Sequence, residues 1–327
     1  MMKGEQRYDK DDIKAYLSVD SSTVDHDEYD IRYYSSSSGN PAVSILGPQA
    51  TVEDIAKMEE EMGLHDPMPV QYINYMKRIL TGDLGTSYRY NRPVADLIFE
   101  KLPNTLQIAL ASLIIALLIG VPVGIISAVK QYSLFDYISM IAALIGVSMP
   151  SFWLGLMLVL IFSVNLGWFP TMGMGVISNG IGDVISHLFL PSLCLSFGSM
   201  ANFARISRSS MLEVIDQDYM KAVRAKGIRE NVVIIKHGLK NALPPIVTVL
   251  GMRIAALMTG AIMIETIFSW PGIGRLIVDA INNNDFEMIQ GTVLFMAILY
   301  VTVNLVVDII YLYINPKVSY ESERRAG

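Results

Sequence analysis

Long uncharged apolar runs alternate with polar segments along the last two thirds of this chain. Residues 104–129 form 26 positions without a charge, and a helix needs about 20 apolar residues to cross a bilayer. Four further apolar runs predict spans over about 137–165, 188–204, 242–264 and 291–314, of which the last two each contain one charged residue, Arg253 and Asp308. Backbone polar groups in lipid must be satisfied within the segment, so we expect all five spans to be helices.

The composition agrees with a membrane protein. Of 327 residues, 52% are hydrophobic and 17% are charged, and the mean hydropathy is +0.41. These values lie outside the usual range of soluble domains. The net charge of −6 is unevenly distributed. Residues 1–66 contain 15 acidic residues and 6 Lys or Arg, whereas residues 205–240 contain 8 Lys or Arg and 4 acids.

The distribution of Lys and Arg between the loops predicts an orientation. The segments at 130–136, 205–240 and 315–327 together hold 12 Lys or Arg. The alternating segments at 166–187 and 266–288 hold one, Arg275. Because basic loops stay on the cytoplasmic side, the first set and the C-terminus are expected inside. The region before residue 104 is then expected outside.

Several kinds of chemistry find no support in the sequence. The single cysteine, Cys194, excludes an intrachain disulfide. No Gly-x4-Gly-Lys-Ser/Thr motif is present, so the chain shows no ATP site of its own. The four histidines are scattered and lack metal-ligand spacing. We therefore predict no catalytic residue, no metal and no cofactor held by this chain.

A short basic segment between two predicted spans is too polar to cross a bilayer. Asp218 is expected to cap a helix over residues 219–226, and Gly227 can supply the left-handed residue that ends it. Such a helix is about 12 Å long. We expect it to lie along the membrane surface, where another protein can bind it.

This segment resembles the cytoplasmic "EAA" coupling loop of ABC-transporter permeases. The resemblance is closest to the first, B-type, subunit of the dipeptide, oligopeptide and nickel group, although Lys221, Ala222 and Val223 replace the Glu-Ala-Ala triplet. A solvated basic loop is the alternative interpretation. The resemblance implies that these residues couple the subunit to its ATPases: Asp218, Tyr219, Ala222, Arg224, Ala225, Lys226, Gly227, Asn241, Leu243 and Pro244.

Other short sequence motifs resemble those of the same family and occur in the same order. The resemblance extends from about residue 43 to residue 318, roughly 85% of the chain. Residues 51–63 are expected to form an amphipathic helix. Pro103 is expected in the first turn of the first span, where its missing N–H costs little.

The resemblance also suggests pathway or gate residues. These candidates are Pro150, Phe152, Trp153, Glu265, Trp270 and Pro271. Pro150 should bend its span, and a structural kink is the alternative to pathway lining. Trp270 is expected at the membrane–water boundary, in a turn that either gates the pathway or only fixes helix ends. Arg253 and Asp308 are charged residues within predicted spans. For both, pairing between helices or snorkelling is favoured over substrate binding.

The resemblance implies an all-α, polytopic helix bundle of the type I ABC importer permease kind in the inner membrane. The implied partners are a second homologous permease, two ATPase subunits that bind ATP and Mg²⁺, and an extracytoplasmic binding protein. The predicted organisation is an acidic, Ser-rich, disordered tract (1–39), an extracytoplasmic segment (40–103), a permease domain (104–318) with the coupling loop (205–241), and a cytoplasmic tail (319–327).

Three questions remain open at this stage. The family begins with a membrane helix that residues 1–39 do not contain, so we expect an altered N-terminus and five spans in place of six. The transported solute can be a dipeptide, an oligopeptide, glutathione or nickel. A secondary transporter is the alternative function, although no internal repeat is evident; a membrane-embedded enzyme is a weaker one, because no catalytic cluster is evident.

Overall fold

The computed structural model describes residues 40–47 and 49–314. The predicted N-terminal tract 1–39 and the tail 319–327 lie outside the described residues. The chain divides into two compact units, Met1–Lys77 and Arg78–Gly327, which are described separately below.

The first unit contains small amphipathic helices. They are α1 (Pro41–Leu46), α2 (Val52–Glu61) and α3 (Met68–Leu80), whose last residues belong to the second unit. Thr51 and Asp54 form a reciprocal capping box at the start of α2, which satisfies two N–H groups that have no partner within the helix. The helix predicted over residues 51–63 is present from Val52 to Glu61, with Ile55 buried.

The second unit is a bundle of helices with one short hairpin. The hairpin pairs β1 (Thr86–Ser87) with β2 (Arg92–Pro93) in antiparallel register. The long helices are α4 (Val94–Val129), α5 (Leu134–Ser148), α7 (Ile181–Ile215), α10 (Lys240–Ile267) and α12 (Phe286–Ile314). The shorter ones are α6 (Ser151–Leu158), α8 (Asp218–Ala225), α9 (Glu230–Val232) and α11 (Ile273–Asn282). Two π-helical segments, Val159–Asn165 and Val233–Leu239, and a 3-10 turn at Ile177–Asn179 complete the set.

The first long helix begins earlier than its uncharged run. It starts at Val94, so the expectation that Pro103 occupies the first turn is wrong, and Pro103 lies inside α4. The sequence prediction began this helix too late because its first two turns contain charged residues. These charged residues occupy only one face of the helix. On the other face Val94, Leu97 and Ile98 are buried and pack against Ile273 and Leu276 of α11.

Helices α4 and α7 approach each other closely at two glycines. Gly120 and Gly124 of α4 lie against the backbone of α7. A Cβ added at Gly124 would collide with the carbonyl oxygen of Ala204 and the side chain of Ser207. Small residues spaced four apart allow membrane helices to approach closely and gain van der Waals contact. These two glycines therefore determine how near α4 and α7 can lie.

The span predicted over 137–165 is broken. The two arms, Leu134–Ser148 and Ser151–Asn165, meet at 108°, so the single bent helix expected from Pro150 is a pair of separate helices. Proline removes one backbone hydrogen bond and clashes with the preceding turn. Here the chain stays extended through Met149 and Pro150 before α6 begins.

The span predicted over 188–204 is also longer than expected. Its helix, α7, runs from Ile181 to Ile215, so the first residues of the predicted loop 205–241 are helical. Asp136 explains part of this extension, because its buried carboxylate accepts two hydrogen bonds from Arg208, at 2.6 and 2.7 Å. The pair fastens the polar end of α7 to the first turn of α5.

Among the described residues, three helices are long and apolar enough to cross a membrane. They are Val94–Val129, Ile181–Ile215 and Phe286–Val307, and the broken pair provides a fourth crossing if it counts as one span. The predicted span 242–264 lies in α10 and is helical as expected. This helix is not among the three that are long and apolar enough by this criterion. The structure thus gives three or four spans by this criterion where the sequence predicted five.

Two carboxylates at the start of α12 hold the hairpin region of the second unit. Asp285 accepts a hydrogen bond from the Ser87 hydroxyl, and Glu287 accepts two from the guanidinium of Arg78, both at 3.1 Å. Burial, together with the nearby Glu287 carboxylate, raises the pKa of Tyr88. The raised pKa favours the protonated hydroxyl, which hydrogen-bonds the Glu287 carboxylate.

Candidate functional site

The predicted surface helix exists as α8, Asp218–Ala225. Gly227 follows it with a φ of +73°, as the helix stop required. The predicted cap is wrong in its detail: Gln217 occupies the N-cap, no side chain caps the helix, and Asp218 lies within the first turn. There Asp218 pairs with Lys221 at 2.8 Å, and its charge favours the positive end of the helix.

One face of α8 is attached to the rest of the subunit. Met220 is fully buried against Met211 of α7 and the π-helical segment before α10. At Gly238 in that segment, an added Cβ would lie 3.2 Å from the Met211 methyl and 3.5 Å from the Met220 methyl. A side chain at Gly238 would therefore crowd both, so the glycine lets α8 lie close to the bundle.

Two polar contacts fix the ends of α8. The Asn241 side chain at the start of α10 donates to the Tyr219 hydroxyl at 2.8 Å. Arg224 donates to both carboxylate oxygens of Glu230, with a shortest distance of 2.9 Å. This bond raises the pKa of Arg224, which favours its charged form. Tyr219 and Asn241 were predicted separately, and the structure brings them together.

The opposite face of α8 is exposed to solvent. It consists of Asp218, Lys221, Ala222 and Ala225, which share one side because helix positions three and four apart are neighbours. We call these four residues the exposed α8 face. Lys226, Leu243 and, less fully, Pro244 are exposed beyond it. Within this face, Ala222 and Ala225 form a shallow apolar patch, and Asp218 and Lys221 carry charges next to it.

Glu265 has a position that the sequence did not indicate. It is fully buried near the end of α10, and its carboxylate accepts hydrogen bonds from the Thr105 hydroxyl at 2.7 Å and the Arg275 N–H at 3.1 Å. The Gly274 N–H also donates to it, and the Ile273 N–H donates to Thr105. The first N–H groups of α11, which have no partner within that helix, are therefore satisfied by α10 and α4.

Trp270 is buried inside the bundle, so its indole contacts protein and not solvent. Its indole N–H donates to the Asn104 carbonyl at 2.9 Å, and the Asn104 side chain donates to the Pro271 carbonyl at 2.8 Å. Buried indole groups usually find such a partner. Within the described residues, Glu265, Trp270 and Pro271 thus hold the turn between α10 and α11 against α4.

The other pathway candidates lie at the helix break. Pro150 is the N-cap residue of α6, and the side chains of Phe152 and Trp153 are about half exposed, at 48% and 42%. Arg253 lies in the middle of α10 and lines a cavity. Asp308 is within α12. Among the described residues no group of three or more His, Cys, Asp or Glu has an arrangement that could hold a metal ion.

Comparison with known protein families identifies the family of this chain. Residues 120–320 match the family described as "Binding-protein-dependent transport system inner membrane component", and residues 31–109 match the N-terminal part of such components. The chain belongs to this family. It is a multi-pass permease subunit of ABC importers and is not an enzyme, because ATP hydrolysis belongs to partner ATPases.

Curated relatives cover nearly the whole chain. A dipeptide transport system permease protein, DppB of Alkalihalophilus pseudofirmus, is 48% identical over 302 residues, covering 86% of this chain and 91% of its own. An oligopeptide transport system permease protein, AppB of Bacillus subtilis, is 42% identical, covering 86% and 90%. A glutathione transport system permease protein, GsiC of Salmonella choleraesuis, is 41% identical with the same coverage.

The fold also resembles solved importers. The inward-facing MetNI methionine ABC transporter contains a chain that matches with a TM-score of 0.55 and 21% identity, covering 67% of this chain and 96% of that one. At this identity the likeness concerns the fold. It agrees with the predicted all-α bundle of the type I importer permease kind.

Proposed function

We propose that this subunit transports peptides or a related small solute, and that α8 couples it to the ATPases. The supporting observation is the exposed α8 face. Its two alanines are small enough for the helix to lie in a groove of an ATPase, while Met220 anchors the opposite side of the helix in the bundle. Because Met220 packs beside Met211 of α7 and Tyr219 is bonded to Asn241 of α10, we expect α8 to move together with α7 and α10. A push on α8 therefore reaches the membrane helices.

The relatives support the solute class. The relatives named for dipeptides, oligopeptides and glutathione are 40–48% identical to this chain. We infer that the assembly contains a second, homologous permease, two ATPases that bind ATP and Mg²⁺, and a binding protein that delivers the solute outside. The excess of Lys and Arg near α8 favours a cytoplasmic position for α8 and the C-terminus.

In this mechanism the nucleotide state selects between two arrangements of the bundle. ATP binding draws the ATPases together, α8 follows, and the pathway opens outward; hydrolysis returns it. A ligand shifts such an equilibrium only through contacts that differ between the two states. We propose that the contacts of the exposed α8 face are among those that differ.

The test is to replace Ala225 by Glu within the complete assembly. The longer, charged side chain would be buried on docking, and a cost of about 3 kcal/mol would weaken association about a hundredfold. We expect loss of ATPase co-purification and of solute uptake in vesicles, with normal membrane insertion.

The matched control is Ala56→Glu, which makes the same change at an exposed position of α2. This control should retain both activities. Wild-type ATPase binding and uptake by Ala225→Glu would show that α8 is not the coupling element.

A further inference from the structure

A cavity of about 220 Å³ lies where α5 and α6 break apart, between them and helices α7 and α10. Its lining includes Gly146 of α5, Ser151 of α6, Gly198 and Ser199 of α7, and Arg253 of α10. No acidic residue lines it among the residues that the structure describes. The cavity is smaller than the roughly 300–1,000 Å³ of a typical small-molecule site, so it fits one end of a solute.

Arg253 is the charged group of this cavity. It is the fourteenth of the 28 residues of α10, about 20 Å from either end, which is far for its side chain to reach water along the helix. In the part of the chain that the structure describes, it forms no hydrogen bond and no ion pair. Charges at this depth are costly and usually mark a partner or a solute pathway.

Two other features of the lining favour a negatively charged occupant. The first turn of α6 begins at Ser151 with no side-chain cap, so its N–H groups and the helix dipole favour an anion. Ser199 is 5% exposed, and its hydroxyl makes no hydrogen bond within the described residues. Broken helices whose N-termini point at anionic solute groups are a known means of binding at the membrane midplane.

We propose that this cavity receives the carboxylate of the transported solute and that Arg253 binds it. The proposal rests on the transport function proposed above and narrows its solute class. Peptides and glutathione carry a free carboxylate, whereas a bare metal cation such as Ni²⁺ would be repelled by Arg253. The guanidinium matches a carboxylate with two parallel hydrogen bonds, and Ser151 and Ser199 are available to complete the site.

The experiment compares two probes in the complete assembly, reconstituted with its partner subunits and binding protein. The probes are radiolabelled alanylalanine and its C-terminal amide, each supplied on saturated binding protein, and ATP hydrolysis is recorded beside uptake. For Arg253→Gln we expect at least a tenfold loss of alanylalanine uptake and less than a twofold change for the amide. Arg253→Lys should recover part of the uptake, because it retains the charge without the planar fork.

Two further variants separate the cavity from a general effect on the fold. Arg205→Gln removes an exposed arginine of α7 whose one hydrogen-bond partner among the described residues is Asn202, and this variant should transport both probes normally. Gly198→Leu should lower uptake of both probes, because a Cβ at Gly198 meets no atom within 4 Å and the added side chain would fill the cavity.

The outcomes distinguish this site from the function on which it rests. Equal loss of both probes in Arg253→Gln would show that Arg253 pairs with a protein or lipid group, and it would overturn the site alone. Unchanged uptake by Arg253→Gln or by Gly198→Leu would overturn it as well. No ATP-dependent uptake of either probe by the wild-type assembly would refute the proposed function, and the site with it.

Discussion

Replacing Glu265 by Ala should destabilise the subunit more than any surface substitution. The change removes the acceptor for three buried donors: the Thr105 hydroxyl and the N–H groups of Gly274 and Arg275. The carboxylate is also the group that satisfies the start of α11, because Gly272 at the N-cap has no side chain to do so. The turn between α10 and α11 would therefore lose its fastening to α4.

The magnitude follows from these contacts. Each buried donor left without a partner costs about 1–3 kcal/mol, so three donors give a range of roughly 3–9 kcal/mol. Water entering the space left by the side chain would satisfy some of them, which favours the lower end. We expect a loss of about 3–5 kcal/mol in the free energy of unfolding, as is found when one partner of a buried charged network is removed.

The assay is reversible unfolding of the purified subunit in mixed micelles, followed by far-UV circular dichroism. Glu265→Gln, which keeps one acceptor oxygen, should lose less stability than Glu265→Ala. The control Glu213→Ala, at an exposed position of α7, should stay within about 0.5 kcal/mol of wild type. If Glu265→Ala also unfolds within about 0.5 kcal/mol of wild type, the assignment of this carboxylate as the fastening of α11 is wrong.

Two further predictions concern packing and topology. Gly124→Ala should weaken the association of α4 with α7, because the new Cβ collides with the Ala204 carbonyl. The control is Gly182→Ala, whose new Cβ meets no atom within 4 Å. In the same unfolding assay, only Gly124→Ala should lower the free energy of unfolding, by about 1–3 kcal/mol. Single cysteines at the exposed positions Ser209 and Asn282, in a background lacking Cys194, should react with a membrane-impermeant label from opposite sides of the membrane. Labelling of both from outside intact cells would contradict the proposed orientation.

The apolar runs predicted where helices lie but not where they end. The runs correspond to α4, the α5–α6 pair, α7, α10 and α12, because lipid enforces both the apolar composition and the helix. Beyond the lipid a helix needs only one apolar face, so the charged residues at the start of α4 and the end of α7 were assigned to loops. Pro150 indicated the place of the break, but the 108° angle depends on packing against other helices.

The sequence also predicted the candidate site only in part, because it reveals local preferences and not distant contacts. The helix at 218–225 and its glycine stop follow from local residue preferences, so both were predicted from the sequence, while the capping role of Asp218 was not realised. The contacts of Glu265 with Thr105 and of Asp136 with Arg208 join residues 160 and 72 positions apart. No local pattern indicates such partners. Charges beside apolar runs were the available signal, and both acids have that position.

ATP-driven uptake by a reconstituted assembly tests the central claim most directly. Proteoliposomes would contain this subunit with its partner permease, the ATPases and a peptide-loaded binding protein. We expect no ATP hydrolysis by the isolated chain, and hydrolysis together with peptide accumulation by the complete assembly, both increased by loaded binding protein. Hydrolysis by the isolated chain, or uptake driven by an ion gradient without ATPases, would contradict the assignment of this protein as the permease subunit of an ATP-driven importer.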